Sequence, residues 1–332
     1  MSRYLIIGGL GFIGSSIAKE LIEEGEEVFI LDNFQFGDIQ KAIPATIENF
    51  REKRWEAEYR INSLRGKCEL IFGDYAWFPY TLKVNPDYII VAAGPSIPKE
   101  VLLDPVPASR SMIGGTLNML GMMKSPQGDS NLKKVVYLSS SMVYGDTMDS
   151  PISEDHPTNP IEPYGIFKLA CEQLFKCYYF QDGIPYNIVR LSGVYGPGDG
   201  KGRVLERFLD QALKGQDLHV RNSIIDFTYI DDAVNGILKV LHHAKPTEIY
   251  NISKGEGRNL HSAADFISEN LVFGVNIIPG EEEGWRPQKG SLDISKASRE
   301  FGYYPKTHLE TGLKIYFEHI RKRRDALCMP EI

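Results

Sequence analysis

The sequence predicts an α/β protein: a parallel sheet wound on both faces by helices, followed by a smaller α/β substrate-binding lobe. Three observations predict it. Apolar runs of four to six residues alternate with helical patterns from Tyr4 to Leu191, the signature of parallel strands joined by crossover helices. The first run ends in closely spaced glycines that open a helix. After Gly193 the alternation breaks into a glycine- and proline-rich loop and shorter fragments. With 332 residues, 42% of them hydrophobic and 24% charged, the chain can build one large or two small domains. The expected division is 1–192 for the sheet unit and 193–332 for the smaller lobe, with 228–252 returning to the sheet.

Tyr4–Ile7 is the first buried strand. Gly8, Gly11 and Gly14 follow at G-x-x-G-x-x-G spacing, and Ile13, Ile17, Leu21 and Ile22 mark a helix face. Gly25 ends that helix, and Val28–Leu31 is the second strand, closed by Asp32. This is the Rossmann-type unit. Glycines let the backbone turn sharply and approach a pyrophosphate, and the helix N-terminus offers it unpaired N–H groups. Asp32 accepts the ribose hydroxyls and repels a 2′-phosphate, so NAD is favoured over NADP. Phe12, Ile13 and Asn33 belong to the same predicted cradle.

Residues 36–66 are a charged insertion with a helical pattern from about Ile47 to Leu64. Glu69–Phe72 is the third strand; Asp74, with Tyr75 behind it, either reaches the adenine or caps a turn. Tyr88–Val91 is the fourth strand, and Ala92, Ala93 and Gly94 leave room for a cofactor. Four prolines predict a loop over 95–107, then a helix over 109–123. Lys134–Leu138 is the fifth strand, delivering Ser139, Ser140 and Ser141 to the carboxyl edge, where parallel sheets bind ligands. A polar loop over 146–163 precedes a helix carrying Tyr164 and Lys168 one turn apart on one face. Tyr186–Leu191 is the sixth strand. Beyond it, strands are expected at 227–230 and 248–252, and helices at 232–242, 258–272 and 295–301.

The net charge of −7 argues against a nucleic-acid partner. The one basic run, Arg321–Arg324, reads as a solvated helix end. The four cysteines form no C-x-x-C pair and no metal-ligand spacing with histidine. No apolar run is long enough to span a bilayer, and a cytoplasmic location is the expectation.

The chain resembles the extended short-chain dehydrogenase/reductases of the nucleotide-sugar epimerase/dehydratase family. The resemblance rests on Gly8-x-x-Gly11-x-x-Gly14, Asp32, the run Ser139–Gly145, Tyr164-x-x-x-Lys168, and Arg190–Pro197. It continues in Asp226–Asp232, Tyr250–Ile252 and Leu292–Lys296. It implies Tyr164 as general base toward a sugar hydroxyl, Lys168 as the cation favouring its phenolate and holding the nicotinamide ribose, and Ser140 as the group orienting the substrate. It also implies a homodimer built through helices 109–123 and 164–181. Packing and turn-capping are the alternative roles for these residues, and Tyr144 is expected to pack beneath the cofactor.

Departures from the family pattern narrow the chemistry. Dehydratases of the family carry an Asp-Glu pair where this chain has Ser141 and Met142, and decarboxylating members use a Glu at the Met142 position. Neither residue here shuttles protons at neutral pH. Reversible oxidation at one sugar carbon remains, with hydride returned to the opposite face of a 4-keto sugar: a nucleotide-sugar epimerase. A net dehydrogenase or keto-sugar reductase is the second reading, and a non-catalytic dinucleotide sensor the third. Gly193 replaces an Asn that contacts substrate phosphates in many relatives, Ile225 replaces an Arg, and Ser111 replaces an Asn. Arg221 and Arg286 are the candidates to hold the phosphates instead, or are surface ion-pair residues.

Overall fold

In the computed structural model the described residues are 1–34, 47–77, 84–123, 131–147, 151–200, 202–281, 284–285, 287–288 and 290–328. Among them a seven-stranded parallel sheet forms the centre. It contains β1 (Arg3–Ile7), β2 (Glu27–Asp32), β3 (Glu69–Phe72), β4 (Tyr88–Val91), β5 (Lys134–Ser140), β6 (Tyr186–Leu191) and a later strand, Ile249–Ile252. That later strand pairs with β6 at one edge, and the rest follow in the order β6-β5-β4-β1-β2-β3. The chain reverses direction across the sheet between β1 and β4, which opens a crevice at their carboxyl ends.

Alternate residues of each strand face opposite cores, as the period of two requires. Tyr4, Ile6, Ile30 and Val136 face one core with Ile17 and Leu21 of helix α1 (Phe12–Glu23). Leu5, Ile7, Leu31 and Val135 face the other. Sheet and helices thus cover each other on both faces, and no helix among the described residues is long and apolar enough to cross a membrane.

Helix α2 (Ile47–Leu64) occupies the charged insertion between β2 and β3. The stretch expected as a loop over 95–107 instead holds α3 (Pro98–Leu103) and α4 (Pro105–Ser109). Pro98 and Pro105 sit in the first helical turns, where a missing N–H costs nothing and the fixed φ suits the helix. A π-helical turn, Arg110–Gly114, leads into α5 (Gly115–Met122). Helix α6 (Pro163–Asp182) follows β5; Glu162 caps it, accepting from Tyr164 N at 2.8 Å and Gly165 N at 2.6 Å.

The later elements interleave with the sheet. Val194–Tyr195 is β7; after α7 (Val204–Leu213) come β8 (Leu218–Val220), β9 (Ile224–Asp226) and β10 (Thr228–Tyr229). β10 pairs with β7 in a separate ribbon, so 228–229 lies outside the main sheet. Helix α8 (Ile230–His243) packs against β5 and β6, and a short loop over 244–248 leads to β11 (Ile249–Ile252). Lys134 crosses from β5 to cap α8, donating to Val240 O at 3.2 Å and Ala244 O at 2.6 Å. β12 (Gly257–Asn259), α9 (Leu260–Asn270), β13 (Ile277–Pro279), α10 (Ser295–Phe301) and α11 (Leu309–Cys328) complete the chain.

The basic run at 321–324 is not wholly solvated. Arg321 and Lys322 are exposed, but Arg323 is fully buried. Its guanidinium lies 2.7 Å from Glu206 and 3.2 Å from Glu56. It faces inward because α11 lies between α2 and α7, both of which present acids to it. Helix polarity counts only at an end, and α11 continues past the run.

Candidate active site

The carboxyl edge of the sheet gathers the predicted cofactor residues. β1 leads into the glycine turn, where Gly8 N donates to Leu31 O at 2.8 Å and Gly11 N to Gly8 O at 3.1 Å. Gly8 has φ +78°, and a Cβ there would stand 2.6 Å from the Ala93 Cα; a Cβ on Gly14 would stand 2.3 Å from Gly8 O. The turn therefore closes only with glycine, and Ala92, Ala93 and Gly94 run directly beside it. Phe12 and Ile13 open α1, whose N-cap is Gly11 with no side chain on its first N–H groups. Those N–H groups point where a pyrophosphate would lie.

Asp32 ends β2 and turns back to the glycine turn. Its carboxylate accepts from Leu10 N at 3.0 Å and Phe34 N at 2.8 Å. Burial pushes its pKa up, and those N–H groups and Arg60 oppose the shift. Asn33 follows it, half-buried. A backbone cradle that any side chain would fill, free helix N–H groups and a carboxylate at the second strand fit a dinucleotide with an unphosphorylated 2′-hydroxyl. Of the two neighbours Asp74 and Tyr75, the first takes one of its two expected roles and the second packs inward. Asp74 accepts from Ala76 N at 2.9 Å, closing a turn. Tyr75 is buried, its ring against Gly115 and its hydroxyl donating to Met112 O at 3.3 Å; its side chain belongs to the core.

Tyr164 and Lys168 rise from the first turns of α6 beside the end of β5. Lys168 Nζ donates to Leu138 O at 2.7 Å and lies 5.7 Å from the Tyr164 ring centre. Burial lowers the Lys168 pKa to about 8, with Cys171 and Glu172 opposing. Burial pushes the Tyr164 phenol up; Arg203 and the Ser140 hydroxyl pull it down. Ser140 Oγ accepts from Met142 N at 3.2 Å, which leaves its proton for the phenol or a ligand. Ser139 and Ser141 are buried. The Ser139 hydroxyl donates to Glu172 at 2.5 Å, so its side chain is committed away from the cleft. Met142 packs into the apolar core between the sheet and α6. Tyr144 is buried too, donating to Asn251 at 2.7 Å.

Four residues near this edge were not singled out as site residues from the sequence. Glu172 and Arg190 form a buried ion pair at 2.7 Å beneath the serine strand. The available signal was a charge inside the apolar strand β6, which burial obliges to find a partner. Asp199 and Arg203 pair at 2.9 Å in the loop after β7, and Arg203 also donates to Ser96 O at 3.4 Å. Asp199 is raised to about 7 by burial, against the pull of Arg203. A group that binds its proton more tightly folded than unfolded destabilises the fold as pH rises from its unfolded value of 3.8 to about 7; above that the cost is constant. Replacing Asp199 with Asn is expected to widen the stability gap over the parent across that window, by at most about 4 kcal/mol, and to leave it flat above. Melts across pH 4–8 check this; a gap independent of pH would contradict it.

The predicted phosphate contacts separate. Gly193 follows β6 with φ +22°, and a Cβ there would stand 2.6 Å from Asp226 O. It can offer a ligand only backbone. Arg221 is buried and lines a cleft of about 450 Å³ with Lys99, Arg207, Gln211, His219 and Trp285. Glu281 lines it too, and three cations against one carboxylate leave the cleft net positive, which suits an anion. Arg286 lies outside the described residues.

A dinucleotide cradle and a Tyr-Lys pair at the edge of one parallel sheet define a nucleotide-dependent oxidoreductase scaffold. Residues 4–253 match the model of the NAD dependent epimerase/dehydratase family, and the chain belongs to that family. Its cofactor is NAD. A putative UDP-glucose 4-epimerase of Methanocaldococcus jannaschii is 31% identical, over 93% of this chain and 95% of that protein. UDP-glucuronic acid decarboxylase 3 of Arabidopsis thaliana is also 31% identical, over 97% and 90%. The crystal structure of Bacillus cereus UDP-glucuronic acid 4-epimerase with UDP-glucuronic acid and NAD superposes with a TM-score of 0.83. It is 27% identical, covering 96% of this chain and 99% of that one.

Proposed function

We propose that this protein is an NAD-dependent nucleotide-sugar epimerase working through a 4-keto sugar. One observation carries the reading: Tyr164, Lys168 and Ser140 converge at the cofactor edge, while the two positions after Ser140 hold a buried serine and a core methionine. The site has a base and its support, and no acid pair there for elimination. Bound NAD supplies the hydride acceptor and donor. Tyr164 takes the proton of the sugar hydroxyl, Lys168 stabilises the phenolate, and Ser140 orients the oxygen. Lys99, Arg207 and Arg221 take the diphosphate of the substrate. Homodimerisation through α5 and α6 belongs to the same reading, supported by Leu117, Ile166 and Phe180 exposed on those helices.

The test is incubation with a panel of nucleotide sugars, following absorbance at 340 nm and the sugar product. Expected is an equilibrium mixture of epimers with no lasting NADH. Stoichiometric NADH without an epimer would make it a dehydrogenase, and no change in sugar or cofactor with any candidate would favour a sensor. A sugar one carbon shorter would make it a decarboxylase.

A further inference from the structure

Helix α2 reaches both sides of the cleft through one side chain. Arg60 is buried; its Nε donates to Leu10 O at 2.9 Å and its terminal nitrogen donates to Gly198 O at 2.7 Å. Leu10 lies in the glycine turn that cradles the dinucleotide, and Gly198 lies in the loop after β7. The two elements meet at a single guanidinium, whose rigid fork fixes the angle between its acceptors.

On its other side the Gly198 N–H stands 3.2 Å from His319 Nε2 of α11, a nitrogen that also stands 3.0 Å from Glu56. The next residue, Asp199, pairs with Arg203, and the charge of Arg203 acts on Tyr164. A contiguous set of contacts therefore runs from the cofactor turn to Arg203: Leu10, Arg60, Gly198, Asp199, Arg203. Arg60 sits among acids, with Asp32, Glu56 and Asp199 all favouring its charge against burial. Asp32 is the carboxylate of the cofactor cradle, so what binds there changes the surroundings of Arg60 directly.

We propose that Arg60 is a positioning residue that couples the dinucleotide turn to the 196–200 loop, so that NAD binding orders the substrate side of the cleft. By linkage, whatever orders that loop tightens NAD by the same factor. The significance of the loop rests on the reading of Tyr164 as the reactive group; the coupling itself does not, and it is read without turnover.

The experiment is hydrogen–deuterium exchange on the full-length protein, with bound dinucleotide removed and then with saturating NAD. In the parent protein NAD is expected to slow the amides of 8–14 and of 196–200, the latter by at least about 5-fold, the lower end of typical coupling. In Arg60→Gln, NAD still slows 8–14 and the response at 196–200 is lost. Arg60→Lys keeps the charge but reaches one carbonyl at most, and it is expected to behave as Gln does; it decides the matter if the Gln variant does not fold. Protection of 196–200 that survives in a folded variant overturns the proposal. So does a parent loop that ignores NAD, a pair of folded variants that no longer protect 8–14, or the failure of both variants to fold, which would leave Arg60 a structural residue only.

Discussion

Replacing Tyr164 with Phe is expected to lower kcat by about 100- to 10,000-fold, the range for removing a general base, with NAD affinity unchanged within a few-fold. The hydroxyl is the only atom lost, and the ring keeps its place at the start of a helix capped by Glu162. Phenol chemistry at this position depends on its surroundings. Burial raises the pKa, Arg203 and the Ser140 hydroxyl pull it down, and the cation of Lys168 with the positive charge of oxidised nicotinamide would lower it further. Steady-state kinetics and NAD titration by fluorescence quenching separate the two effects. A variant retaining more than about a tenth of parental kcat would remove Tyr164 from the chemistry.

The largest stability effect is expected at a buried charge cluster on α11. Arg323→Met should cost about 3–5 kcal/mol, because it strands buried carboxylates rather than removing a contact. Glu56 and Glu206 both turn to this guanidinium, and all three side chains are almost fully buried. His319 shares the site, its Nε2 standing 3.0 Å from Glu56. A fall in Tm on the order of 10 °C is expected for a chain of this size. Removing one acid as well, in Arg323→Met/Glu206→Gln, should recover part of it. A single variant that melts with the parent would mean that water reaches this cluster.

The sheet was legible in the sequence because strands buried on both faces have no alternation to hide. Tyr88–Val91 and Tyr186–Leu191 stand out as apolar runs with the bounds the structure gives them. The insertion helix was legible from periodicity, Ile47–Leu64, but its role was not. It packs on α1, but the partners of its buried acids lie on α11 and at the end of α7, more than a hundred residues away, and no local pattern announces them. Arg323 was misread for the same reason: within Arg-Lys-Arg-Arg each cation looks alike, and only tertiary packing selects the buried one. Pro98 and Pro105 were misread because proline breaks a helix interior yet suits its first turn. The ribbon pairs β7–β10 and β9–β12 are two or three residues long, too short for a period to register. At the candidate site, the placement of Tyr164 and Lys168 at a helix start and of Ser140 at a strand end was readable from spacing. Arg60, Asp199 and Arg203 act through a loop whose course depends on three other elements.

Met142 lies in the core between the sheet and α6, in a turn whose carbonyl closes against Gly165. This bears on which reactions lie within mutational reach of the chain. A glutamate placed at 142 would enter an apolar environment that keeps a carboxyl neutral, with buried Ser141 beside it. One substitution would supply the glutamate of a decarboxylating member, and two the acid pair of a dehydratase, in either case without the ionisation. Opening solvent or a polar partner to that turn would have to come first, at a cost in packing that selection for a new product would not repay in a single step. On the epimerase reading, the packing around Met142 is what separates this chain from its decarboxylating and dehydrating relatives.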